Sequence, residues 1–185
     1  MAVKTFTAGE TATAADTNTY LANAGLVYIK QQTIGNTVAS VVVTDAFSAT
    51  YDNYRIMVDV TTVSNTGSSI SMSLNNATGS TYVHGGVYFV FESTTVNGYG
   101  PPASTKWADL IASGSPACAS IDLHNPFASR PTTAMAQSVR GGSGAGHYIF
   151  NALETTSSSH TGFTLSPVAG TMTGGTIYVY GYRKA

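Results

Sequence analysis

A chain of 185 residues in which Lys and Arg (8) almost balance Asp and Glu (9), for a net charge of −1, is one domain by length and offers no electrostatic case for binding nucleic acid. Only 9% of its residues are charged, against roughly 25% in an ordinary globular domain, and no apolar run approaches the ~20 residues that cross a bilayer. The polar half is Ser, Thr, Asn and Gly, which a partner covers more cheaply than charge because a desolvated charge needs a counter-charge. Such a chain suits packing within a large assembly and suits catalysis poorly.

Residues 1–25 differ from the rest. Thr5-Phe-Thr-Ala-Gly-Glu10 reads as an extended arm with one aromatic, Phe6. Thr13-Ala-Ala-Asp16 is a variant capping box, with Thr13 as N-cap, and predicts a helix from Ala14 to Asn23. Gly25 stands where a left-handed helix stop is expected. A helix of about three turns does not hold in isolation, so it must dock on something. Phe6, Tyr20 and Leu21 are the candidate anchors. The first residues lack the apolar stretch of a secretory signal, so synthesis in a cytoplasm is expected.

From Leu26 onward the apolar residues recur with period two, the mark of strands. Val41 and Val43 alternate, then Tyr54, Ile56, Val58 and Val60, then Ile70, Met72 and Leu74. Val87, Phe89 and Phe91 form a strand that is apolar on both faces. Ala119, Ile121 and Leu123 follow, then Tyr148 and Phe150, then Phe163 and Leu165. In the last strand Ile177 and Val179 oppose Tyr178, Tyr180 and Tyr182. Clusters such as Ser64-Asn-Thr-Gly67, Asn75-Asn-Ala-Thr-Gly79 and Gly141-Gly-Ser-Gly144 separate these runs as turns. About eight to ten strands at this spacing predict an all-β fold, an antiparallel β-sandwich of jelly-roll-like form over residues 26–185, preceded by the short helix and arm of residues 1–25. The longest irregular stretch runs from about Ser93 to Ala117 and holds the only Trp, Trp107.

No catalytic or metal site is expected, and no cofactor. His84, His124, His147 and His160 stand far apart, and the acids form no close pair. Cys118, the single cysteine, reads as a small buried hydrophobe. Gly141-Gly-Ser-Gly-Ala-Gly146 lacks the Lys-Ser/Thr of a phosphate loop and the helix of a dinucleotide site, and reads as a hairpin. Tyr is the enriched aromatic, with 11 copies. Its large, stiff side chain with a polar tip suits interfaces and sugar stacking. Tyr99, Trp107, Tyr178, Tyr180 and Tyr182 are therefore candidate interface or glycan contacts.

The opening Lys4-Thr-Phe-Thr-Ala-Gly-Glu-Thr-Ala-Thr-Ala-Ala-Asp-Thr-Asn18 resembles the N-terminal FTAGE-x-LTAAD-x-N stretch of a group of tailed-bacteriophage virion structural proteins. Gly25-Leu-Val-Tyr-Ile-Lys-Gln-Gln-Thr-Ile-Gly35, Phe47-Ser-Ala-Thr-Tyr-Asp-Asn-Tyr-Arg55 and the end, Thr173-Gly-Gly-Thr-Ile-Tyr-Val-Tyr-Gly-Tyr-Arg183, are similar to the same group. The likeness covers both ends, thins between about Thr62 and Gly162, and departs at Ala12, where the group has an aliphatic residue. It implies a non-enzymatic virion protein, made in the host cytoplasm, without catalytic residues. The expected role is a tail fibre or minor tail protein that docks by its N-terminal arm and displays the sandwich. A capsid decoration (cement) or head-fibre protein is the alternative, and a module that binds host-surface glycan is another. The expected partners are copies of the chain, as a homotrimer, and other tail or capsid proteins, with neither nucleic acid nor membrane insertion.

Overall fold

A computed structural model describes residues 7–11, 13–16, 25–142 and 144–184. Phe6, Tyr20 and Leu21 lie outside the described residues. Of the helix expected over 14–23, Ala14–Asp16 (α1) is helical, and the remainder also lies outside them.

The rest is strand: β1 (Leu26–Thr33), β2 (Val41–Val43), β3 (Asn53–Val63), β4 (Ser69–Leu74), β5 (Tyr82–Val90), β6 (Asn97–Tyr99), β7 (Trp107–Ala112), β8 (Ala117–His124), β9 (Thr132–Arg140), β10 (Gly146–Glu154), β11 (Phe163–Pro167) and β12 (Met172–Tyr182). These form two antiparallel sheets. One has eight strands in the order β1-β12-β3-β8-β9-β10-β5-β6, and the other has four in the order β2-β11-β4-β7. Within them, β1-β12-β3-β8 facing β2-β11-β4-β7 is the double Greek-key pairing of a jelly roll. The hairpins β5-β6 and β9-β10 are insertions into that plan. Both join the same sheet beyond β8, so the larger sheet extends past the edge of the smaller one.

Alternation explains the layering. Tyr54, Ile56, Val58 and Val60 of β3 turn inward with Ile121 and Leu123 of β8 and Ile177 and Val179 of β12. They meet Ile70, Met72 and Leu74 of β4, Phe163 and Leu165 of β11, and Trp107, Leu110 and Ile111 of β7 in one buried cluster. Full burial of each large apolar side chain is worth roughly 1.5–3 kcal/mol. Two tyrosines reach across the core with satisfied tips. The Tyr54 hydroxyl accepts from the Ser48 amide at 2.8 Å, and the Tyr82 hydroxyl accepts from the Leu74 amide at 2.8 Å.

Three strands depart from the sequence reading. β6 and β7 occupy the stretch expected to be a long loop, and β9 was not expected at all. β7 has no clean alternation, because its pairing with β4 shifts register between Ile70 and Met72. β9 does alternate, but its inward residues are the small Ala134, Ala136 and Ser138, which carry little hydrophobic signal.

Candidate functional site

Two surfaces of the larger sheet collect the residues of interest. The first is its outer face. Tyr178, Tyr180 and Tyr182 share it, as their alternation implies, because Ile177, Val179 and Gly181 point into the core. Beside them stand the exposed Leu26, Tyr28, Met57, Met135, Val139, Ile149, Val87 and Phe91. Tyr28 and Tyr180 pack edge to face with ring centres 5.9 Å apart. The small side chains of Cys118 and Ser120 on β8 leave a trough of about 450 Å³, walled by Met57 and Tyr178 on one side and Val139 and His147 on the other. Cys118 thus lies exposed on the sheet rather than in the core. Burial at the trough and the neighbouring Asp59 carboxylate push its thiol pKa up, which disfavours a reactive thiolate.

Charge on this face is largely neutralised internally. Arg55 donates through Nε and Nη2 to the two Asp122 oxygens, at 2.8 and 2.6 Å. The Tyr182 hydroxyl donates to Asp122 at 2.7 Å. Desolvation acts to raise the Asp122 pKa, but these donors outweigh it and hold the carboxyl below its usual range.

The second surface is the inner face of the insertion, where the larger sheet runs out from under the smaller. Here the free edge of β7 overhangs β5, β6 and β10, leaving a cleft of about 440 Å³. Tyr88 and Tyr148 are directly opposite in the β5–β10 register, and their rings stack at 5.0 Å with planes 7° apart. The Arg140 guanidinium covers the far face of this pair, 5.8 Å from the Tyr148 ring centre. It is held there by the Gly144 carbonyl at 2.6 Å and the Thr66 carbonyl at 3.2 Å. The glycine-rich segment is therefore a hairpin turn joining β9 to β10. Gly142 and Gly144 take φ of 80° and 70°, a region that favours glycine, and the turn presents a carbonyl to Arg140.

Tyr99 of β6 closes the other end of the row. Its ring lies over Gly86, where a Cβ would sit 2.9 Å from the phenol oxygen and 2.1 Å from the Ile149 carbonyl oxygen. Across the cleft, Asp109 of β7 accepts from the Ser69 hydroxyl at 2.8 Å. Behind Asp109 is His84, whose side chain is fully buried, with Nε2 3.7 Å from the carboxylate. Neither His84 ring nitrogen has a hydrogen-bond partner among the described residues. The His84 ring and the Ser69 hydroxyl hold the Asp109 carboxyl below its usual range against the effect of burial. Burial pushes the Tyr99 and Tyr148 phenols up, so both stay neutral.

Of the sequence candidates, Tyr99 thus falls in the cleft, and Tyr178, Tyr180 and Tyr182 fall on the outer face. Trp107 falls on neither. It is a core residue with no exposed surface, its ring edge-on to Tyr82 at 5.2 Å and its Nε1 donating to the Leu153 carbonyl at 3.3 Å. As a direct glycan or partner contact it is corrected to a packing role. The sequence reading missed Tyr88, Tyr148, Arg140 and Asp109 as a group, because they come from four strands whose pairing is not local. The one available signal was Tyr88 and Tyr148 at inward positions of their strands, on the same face as the buried Tyr82 and Phe150.

Among the described residues, no group of three or more His, Cys, Asp or Glu side chains could hold a metal ion. No helix among them is long and apolar enough to cross a membrane. Comparison with protein-family models, with curated proteins and with solved structures finds no match for the chain.

Proposed function

We propose that the protein is a non-enzymatic structural component of a tailed-bacteriophage particle, a tail fibre or minor tail protein that docks through residues 1–25 and assembles with copies of itself through the sandwich. The outer face of the larger sheet carries this reading. A sheet face on which Met57, Met135, Val139, Ile149, Val87 and Tyr28 stand exposed among the neutral Ser120, Gln137 and Asn151, with Arg55 and Asp122 paired to each other and Asp59 as its one unmatched carboxylate among the described residues, suits a subunit interface of mixed apolar and neutral polar character. Single exposed hydrophobes are ordinary, but several gathered on one sheet face mark an interaction surface. The motif resemblance at both ends supports the reading as a particle protein, and the exposed apolar residues of the sheet face support assembly through it. A homotrimer is the expected form, a closed symmetric arrangement in which every copy buries this face. A capsid decoration or head-fibre protein would use the same surface and differs only in its docking partner.

The N-terminal anchor is tested by deleting residues 1–25 and following incorporation into particles. The truncated chain is expected to fold and to be missing from purified particles. Normal incorporation would overturn the anchor assignment and, with it, Phe6, Tyr20 and Leu21 as its contacts.

A further inference from the structure

The cleft between β7 and the β5-β6-β10 surface plays no part in that assembly, and its chemistry is of a different kind. The geometry points to it as a binding site for a neutral saccharide, with Tyr88, Tyr99, Tyr148, Asp109, Arg140 and Ser69 as its contacts.

Charge selects the class. Asp109 presents an ionised carboxylate about half open to solvent, and Arg140 presents a guanidinium at the other end. An anion entering the cleft would face the Asp109 carboxylate. It would also find Arg140 with Nε and Nη1 already spent on the Gly144 and Thr66 carbonyls. A cation would face Arg140. A neutral ligand rich in hydroxyls satisfies both ends, because each hydroxyl both donates and accepts.

Shape narrows it further. A flat aromatic ring cannot slide between Tyr88 and Tyr148, whose centres are 5.0 Å apart, since an inserted ring needs about twice the ~3.5–4.0 Å contact distance. A ligand must instead lie across the ring edges and meet their hydroxyls. The Asp109 carboxylate and Ser69 hydroxyl reach it from the opposite wall, while Ala112 and Val168 offer apolar surface to its C–H groups. The cleft volume, about 440 Å³, lies within the roughly 300–1,000 Å³ of small-ligand sites.

The site is also held in shape before any ligand arrives. The buried His84 ring backs Asp109, two carbonyls clamp Arg140, and Gly86 gives the Tyr99 ring its seat. Contacts fixed in this way cost little ordering on binding.

The test uses the full chain on an array of neutral oligosaccharides ending in glucose, galactose, mannose or N-acetylglucosamine, with acidic oligosaccharides alongside. The best hit is titrated by calorimetry, and inorganic phosphate is titrated as a separate anion. At least one neutral oligosaccharide is expected to bind. Asp109→Asn, which keeps the side-chain shape, and Tyr148→Ala are each expected to weaken it at least tenfold, while Val42→Thr on the smaller sheet leaves it unchanged. If Tyr148→Ala fails to fold, Asp109→Asn decides alone. Absence of any neutral binder, binding confined to acidic sugars or phosphate, or affinity unchanged in the folded variants would overturn the assignment. None of these outcomes bears on subunit assembly, which is read separately from the mass of the same preparation.

Discussion

Glu154 is fully buried at the end of β10, on the row of Tyr82 and Thr132. Burial acts to raise its pKa, but hydrogen bonds outweigh it and the carboxyl is held below its usual range. The Thr156 hydroxyl donates to it at 2.7 Å and the Thr156 amide at 3.1 Å, and the buried His160 ring lies 3.4 Å away. His160 in turn contacts the Asn75 carbonyl through Nδ1, so the cluster ties the segment before β11 to the turn after β4. A carboxyl whose folded pKa lies below its unfolded one adds stability that is fully present above the unfolded value, near 4.5. That contribution is lost as pH falls from there through the folded pKa. Denaturant midpoints are therefore expected to hold level from neutrality to about pH 5 and to drop below pH 4.5. In Glu154→Gln the neutral-pH midpoint should be lower and the acid drop shallower. An acid drop identical in the two proteins would remove Glu154 as its source, leaving the Asp109 and Asp122 carboxyls, which are shifted in the same direction.

At the scale of the elements, the strands that sequence shows best are those whose inward side chains are large. β3, β4, β8, β11 and β12 alternate Ile, Val, Leu, Met and Phe with polar residues, and each was legible. β9 was hidden because its inward side chains are small: Ala136 sits between Phe150 and Ile121, and Ala134 between Ala152 and Leu123, so the bulk of this part of the core comes mainly from the neighbouring strands. β7 was hidden by its register shift, and that also misplaced Trp107. The candidate site was the least legible part, since Tyr88 and Tyr148 become neighbours only through a pairing of strands some 60 residues apart in sequence. Trp107 supplies the check on this correction. As a core anchor of the strand that walls the cleft, Trp107→Ala is expected to cost about 3–5 kcal/mol of stability, measured by denaturant unfolding. As a surface contact it would cost almost nothing, so a loss below about 0.5 kcal/mol would return it to the surface.

For the molecule as a whole, the two sheets differ in what they show to the outside. On the smaller sheet, Val42 is exposed while its neighbours in the same row, Thr164 and Ser73, bear hydroxyls. On the larger sheet, Met57, Val139 and Ile149 surround troughs lined by Cys118, Ser120 and Gln137. Corrugation of this kind lets side chains of a second copy seat between the strands; the Arg55–Asp122 pair is already matched, and Asp59 at the rim of the trough is the one carboxylate there, among the described residues, that a second copy has to meet with a donor. If the larger sheet is the subunit interface, an aspartate introduced at its centre must be desolvated without a partner, at a cost of several kcal/mol per subunit. Native mass measurement of the wild-type chain is expected to give a trimer. Val139→Asp and Ile149→Asp are each expected to shift it to monomer with the circular dichroism of the strands retained, while Val42→Asp leaves the trimer intact. Dissociation by Val42→Asp alone would move the interface to the smaller sheet. A wild-type chain that stays monomeric at high concentration would leave the exposed apolar face to a different virion protein, and the trimer would be withdrawn.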